Sequence, residues 1–214
     1  MTDKIALVTG ASRGLGAALA ELLTPEYHVI AVGRTTGALE ELDDRIKARG
    51  GEATLAPMDI TDANAMAHLC RNIHDRWGHV DQWFHTAINS TTLMPMGHIT
   101  DKDMGKVLDI NITATQRLMA YVEPLLQASD EGAAHFFDDG NAGQKYFGSY
   151  GASKAGQMAL VASWQTETGK LGPKVVLHKP APMGTAFRAR FHPGQQPKEL
   201  STPMIEAQKI IDNL

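Results

Sequence analysis

The chain has 214 residues, 43% hydrophobic and 21% charged, which supports one sizeable core and excludes a disordered chain. A net charge of −4 without a basic run argues against nucleic acid as the main partner. The lone Cys70 excludes an intrachain disulfide, and no signal peptide or membrane span is visible, so a soluble, cytoplasmic, single-domain protein over residues 1–214 is expected.

Short apolar runs alternate with longer amphipathic ones. Strands are expected at Lys4–Thr9, His28–Val32, Glu52–Pro57, Val80–Thr86, Ala133–Asp138 and Lys174–Lys179. Helices are expected near Gly14–Leu23, Thr36–Arg49, Asp62–Trp77, Asp101–Leu126, Ser149–Leu171 and Pro203–Asn213, with Thr61-Asp62 and Thr100-Asp101 as N-terminal caps. This alternation predicts an α/β chain with a parallel sheet covered by helices on both faces. Cys70, inside the third of these runs, reads as a buried structural thiol. The Pro-rich stretch Lys179–Pro203 reads as a surface loop, and in this architecture loops at strand ends carry function.

Between the first strand and helix lies Thr9-Gly10-Ala11-Ser12-Arg13-Gly14-Leu15-Gly16. Glycines there permit a tight turn and close approach of a pyrophosphate to the backbone, and the helix N-terminus offers free N–H groups. Gly10, Ser12, Arg13, Gly14, Leu15 and Gly16 are therefore candidate cofactor contacts. The second strand ends at Arg34, where an acidic residue would favour NAD. Arg34 and Arg13 instead suit a ribose 2′-phosphate, so NADP is expected over NAD. Asp59 and Ile60, after the third strand, are placed to flank the adenine, with a helix cap as the alternative for Asp59.

Tyr150 and Lys154 stand one helical turn apart on one face. An ammonium beside a phenol favours the phenolate, so Lys154 is expected to lower the Tyr150 pKa and make it a usable proton donor. The histidines carry no metal-ligand spacing; His68 and His74 do not share a helix face, and no metal site is expected. Leu93–His98 and Met183–Lys198 are the loops expected to choose the substrate.

Together the glycine loop and Tyr150-x-x-x-Lys154 resemble the short-chain dehydrogenase/reductase family over nearly the whole chain. The segment Phe187–Phe191 with Leu200–Pro203 looks most like a bacterial subgroup of it. The resemblance implies a Rossmann-like doubly wound sheet and hydride transfer between NADP(H) and a carbonyl or alcohol substrate. It assigns protonation of the substrate oxygen to Tyr150, the nicotinamide ribose to Lys154 and a relay water to Asn111. Ala87, Pro180 and Thr185 would lie along the cofactor.

Three departures stand out. Phe137 or Asp138 occupies the place of the family's catalytic serine, and Asp138 could act as a protonated acid, leave the site impaired or be a solvated turn residue. Ile88 replaces a glycine and crowds the site. The chain stops after six strands, without the usual seventh, which favours a homodimer through Asp101–Leu126 and Ser149–Leu171 over a tetramer. The alternative function is a cofactor-binding sensor or interaction protein that has lost efficient turnover.

Overall fold

The structure, a computed structural model, describes residues 4–169 and 172–214. Six parallel strands form one sheet in the order β3-β2-β1-β4-β5-β6: β1 Ile5–Thr9, β2 His28–Gly33, β3 Ala53–Pro57, β4 Gln82–His85, β5 Ala133–Phe137 and β6 Lys174–His178. Helices α1 Gly14–Leu22, α2 Thr36–Ala48, α3 Ala63–Trp77, α4 Asp101–Leu108, α5 Thr115–Gln127, α6 Gly148–Thr168, α7 Ala186–Ala189 and α8 Pro203–Ile211 connect or follow the strands. This is the expected doubly wound α/β architecture. The helix expected over Ser149–Leu171 ends at Thr168; residues 170–171, and the first three residues of the expected domain, lie outside the described residues.

Alternation along the central strands builds a core on each face of the sheet. Ile5 and Leu7 of β1 and Trp83 of β4 join one cluster with Met66, Leu118, Val122 and Trp164. Ala6, Val8 and Phe84 face the other way, toward Leu19, Leu39 and Ile46. Because both faces are covered, the strands read as continuous apolar runs. Small residues at Gly16, Ala17, Ala18 and Ala20 are buried along α1, where α8 packs against it. Cys70 is buried, as expected, and burial pushes its thiol pKa up to about 11.

Asp62 caps α3 by accepting from Ala65 N, and Thr100 caps α4 by accepting from Asp103 N. The helix expected over Asp101–Leu126 is present, and its backbone stays helical throughout, but it is not α-helical along its whole length. A π-helical segment, Asp109–Ala114, separates α4 from α5, a distortion frequently found at functional sites. Thr115 supports it by donating its hydroxyl to Asn111 O at 2.9 Å.

Candidate active site

The strand order reverses between β1 and β4, so the connections leaving these two strands diverge and open a crevice at their C-terminal ends. A cleft of about 440 Å³ occupies it, within the usual size of a small-molecule site. It is lined at one end by Gly10, Ser12, Arg13, Gly14, Leu15, Gly16 and Arg34, and at the other by Ile88, Asp138, Asp139, Tyr150, Lys154 and Phe187. Asp59, Ile60, Ala87, Pro180 and Thr185 also line it. All the expected cofactor positions thus converge on one cleft.

The glycine loop works through close approach. A Cβ on Gly16 would lie 2.3 Å from Gly10 O, and one on Gly10, which has φ +92°, would lie 2.6 Å from Ala87 N. Glycine at both places lets α1 and the end of β4 meet the end of β1. Arg13, at the N-cap of α1, makes no side-chain cap, so the first-turn N–H groups remain available to an anion. These residues fit the pyrophosphate of a dinucleotide.

At the far end of the loop, Arg34 lies 3.7 Å from Asp59 Oδ2, with both side chains substantially exposed. Asp59 Oδ1 accepts from Thr61 N at 2.9 Å and Thr61 Oγ1 at 2.8 Å. The carboxylate expected on the adenine is thus already engaged in holding this turn and steadying Arg34. The helix cap weighed as its alternative is Asp62 instead.

The phenol of Tyr150 is not tuned by Lys154 as the sequence suggested. Tyr150 is buried and its Oη donates to Asp139 Oδ2 at 2.5 Å. Burial first, and then the charge and hydrogen bond of Asp139, raise its pKa well above the usual phenol value, with Asp138 adding to the effect. The carboxylate on the phenol is also not Asp138. Asp138 Oδ1 accepts from the backbone N–H groups of Asp139 (2.9 Å) and Gly140 (3.3 Å), and its Oδ2 lies 3.8 Å from Lys179 Nζ. That turn presents the next side chain, Asp139, to Tyr150. The Asp-Asp doublet was visible in the sequence, but which member reaches the phenol depends on the turn.

Lys154 is buried and belongs to a polar network that sequence reasoning missed. Its Nζ donates to Gln157 Oε1 at 2.8 Å, and Gln157 Nε2 donates to Thr115 Oγ1 at 3.1 Å. Thr115 uses its one proton on Asn111 O, so it must also accept from His85 Nε2, 2.9 Å away. His85 Nδ1 is then left to accept from Thr9 Oγ1 at 2.8 Å. His85 is fully enclosed, and burial together with the Lys154 charge lowers its pKa to about 3, so the ring is neutral. Burial lowers the Lys154 pKa to about 8, against the opposing pull of Asp139 and Asp138. The only sequence hint was a glutamine one turn beyond Lys154 on an otherwise packed helix face.

Asn111 lies in the π-helical segment, fully buried. Its Oδ1 accepts from Asn89 N at 2.8 Å, while its Nδ2 donates to Asn89 O at 2.8 Å and Ser153 Oγ at 2.9 Å. The side chain therefore ties the segment after β4 to α6, and its amide has no free donor for a relay water. Ile88 lines the cleft and packs with Leu93 and Phe187 against Phe147, Tyr150 and Phe191. This apolar group narrows the Tyr150 end of the cleft, where the family pattern has a glycine at position 88.

The sequence profile described as short chain dehydrogenase matches residues 4–196. The chain belongs to the short-chain dehydrogenase family. It is therefore an oxidoreductase by family. An oxidoreductase of Staphylococcus epidermidis is 27% identical over 218 residues, covering 98% of this chain and 88% of the relative. A short-chain dehydrogenase structure from Shigella flexneri complexed with NADP superposes with a TM-score of 0.86 at 27% identity, covering 95% of this chain and 87% of that one. One from Escherichia coli complexed with NADPH gives 0.85 at 26% identity, with coverage of 95% and 87%.

Proposed function

We propose that this short-chain dehydrogenase binds NADP(H) and transfers hydride between it and the carbonyl or alcohol group of a small molecule. The observation that carries this is the placement of Tyr150 and Lys154 at one end of the cleft whose other end is the glycine loop. When bound, the cofactor supplies or accepts the hydride. Gly10–Gly16 and the α1 N-terminus receive its pyrophosphate, and Arg13 and Arg34 carry the positive charge that suits a 2′-phosphate. Lys154, steadied by Gln157, is placed to hold the nicotinamide ribose. Tyr150 is the proton donor at the substrate atom. The NADP and NADPH complexes of similar proteins support the cofactor choice.

A second reading, cofactor binding without efficient turnover, is favoured by the Tyr150–Asp139 hydrogen bond. Proton transfer from Tyr150 to a carbonyl oxygen leaves a phenolate against a carboxylate, which is costly at this distance. NADPH oxidation across a broad carbonyl panel, with Tyr150→Phe as control, separates the two. Turnover lost in the variant supports the enzyme. Equal inertness with retained NADPH binding supports the second reading.

Exposed Ala152, Ala155, Ala159 and Ala162 along α6 would let a second copy approach closely, which supports a homodimer through α4–α5 and α6. Light scattering at several concentrations tests this. No described helix is long and apolar enough to cross a membrane.

A further inference from the structure

We propose that the substrate end of the cleft accepts an organic cation, a protonated cyclic imine and the amine it becomes on reduction, with Asp139 as its counter-ion. This rests on the hydride-transfer part of that reading and replaces its carbonyl or alcohol with an imine or amine.

Three features of the site lead there. Asp139 touches the phenol at 2.5 Å, so its charge sits beside the place where the substrate's heteroatom must lie to reach Tyr150. Its Oδ1 accepts only a 3.1 Å bond from Asn141 N, and a carboxylate has about four acceptor sites, so capacity remains for a substrate N–H. Among the described residues no cation pairs with Asp139. Lys179 lies by Asp138, and Lys154, which feels the Asp139 charge without forming an ion pair with it, donates to Gln157. The surrounding wall, Ile88 and Phe187, is apolar, as a ring bearing one charged nitrogen requires.

The two substrate classes meet this carboxylate differently. Hydride addition to a neutral carbonyl carbon moves the π pair onto oxygen and builds negative charge there. That charge is relieved only by a proton from Tyr150, which leaves phenolate beside Asp139. Hydride addition to an iminium carbon breaks the C=N π bond and places its electron pair on nitrogen, giving a neutral amine. The nicotinamide cofactor is the two-electron reductant, and no proton is drawn from Tyr150. The carboxylate therefore opposes the first reaction. It favours the second by holding the imine in its protonated, reducible form.

The test is calorimetric titration at pH 7 with tetrahydroisoquinolinium and with the neutral alcohol 2-tetralol, with and without NADP. The expected result is a preference of about tenfold or more for the cation, abolished in Asp139→Asn, since a hydrogen bond to a charged group contributes about 1.5–3 kcal/mol. NADPH should reduce dihydroisoquinolinium faster than 1-tetralone. Equal binding of amine and alcohol, or a preference that survives Asp139→Asn, overturns the proposal. A separate NADPH titration reports on the cofactor reading. Absence of NADPH binding refutes that reading, whereas the cation preference of the cofactor-free protein still decides the charge of the ligand.

Discussion

Lys154 Nζ donates to Gln157 Oε1 at 2.8 Å, one turn along the same helix, while the phenol one turn before it donates to Asp139. The two residues that looked like a coupled acid and tuner are each held by a different partner. The Lys154 side is a closed polar network running through Thr115 to the neutral ring of His85. The Tyr150 side is a carboxylate open to the cleft.

Replacing Asp139 with serine should lower the Tyr150 pKa, because a charge and a charge-accepting hydrogen bond disappear together. Carbonyl reduction should rise, by at most about tenfold for each pKa unit by which the phenol becomes a better donor. Ultraviolet difference titration of the phenolate, paired with NADPH oxidation, checks both. An unchanged phenol titration would show that Asp139 does not act on Tyr150.

Gln157→Leu removes the acceptor of a buried ammonium and leaves Thr115 short of a donor. A stability loss of about 1–3 kcal/mol follows from the unsatisfied group, and NADPH should bind more weakly because Lys154 is no longer held. Urea unfolding and fluorescence titration measure the two effects, and Gln157→Glu, which keeps the acceptor, should retain more of the NADPH affinity.

Arg34→Ala should weaken NADPH about tenfold or more and NADH little, the size of a lost charge-assisted contact. It also releases Asp59 from its 3.7 Å ion pair. Competitive titration of both cofactors gives the ratio; equal losses would remove the 2′-phosphate from Arg34.

Gly16→Ala places a Cβ 2.3 Å from Gly10 O, so the loop or the helix must move. Overpacking of this kind costs about 1–3 kcal/mol and should abolish cofactor binding together with it. Thermal unfolding of the variant with and without NADPH tests this, since a distorted loop should show no stabilisation by the cofactor.

Stability should pass through a maximum as pH rises through the alkaline range. The Lys154 pKa is lowered to about 8, so below the unfolded lysine value the unfolded chain binds the extra proton and wild type loses stability as pH falls toward 8. The raised pKa of Tyr150 acts in the opposite sense. Its contribution is fully present below the ordinary phenol value of about 10 and is lost as pH rises above it. Urea unfolding at intervals through this range should show the rising limb vanish in Lys154→Met and the falling limb shrink in Tyr150→Phe.

The strand and helix order was legible because each element's apolar spacing is a property of its own residues, from the continuous run of β1 to the capped starts of α3 and α4. The cofactor end was legible for the same reason: Gly10, Gly14 and Gly16 are neighbours in sequence, and their effect on the backbone is local. The π-helical turn at Asp109–Ala114 was not, because its residues keep helical spacing and its distinguishing contact, Asn111 with Asn89, joins residues far apart in the chain.

The sequence by itself determined the doubly wound α/β framework, the glycine loop and the presence of Tyr150 and Lys154 on one helical turn. Only the tertiary structure decided what those two side chains touch. The turn after β5 spends Asp138 on backbone N–H groups and delivers Asp139 to the phenol, and the strand order brings His85, Thr115 and Gln157 together from three separate elements. Partners far apart in the chain meet through sheet order and turn geometry, and it is these that set the charge around the reacting atoms.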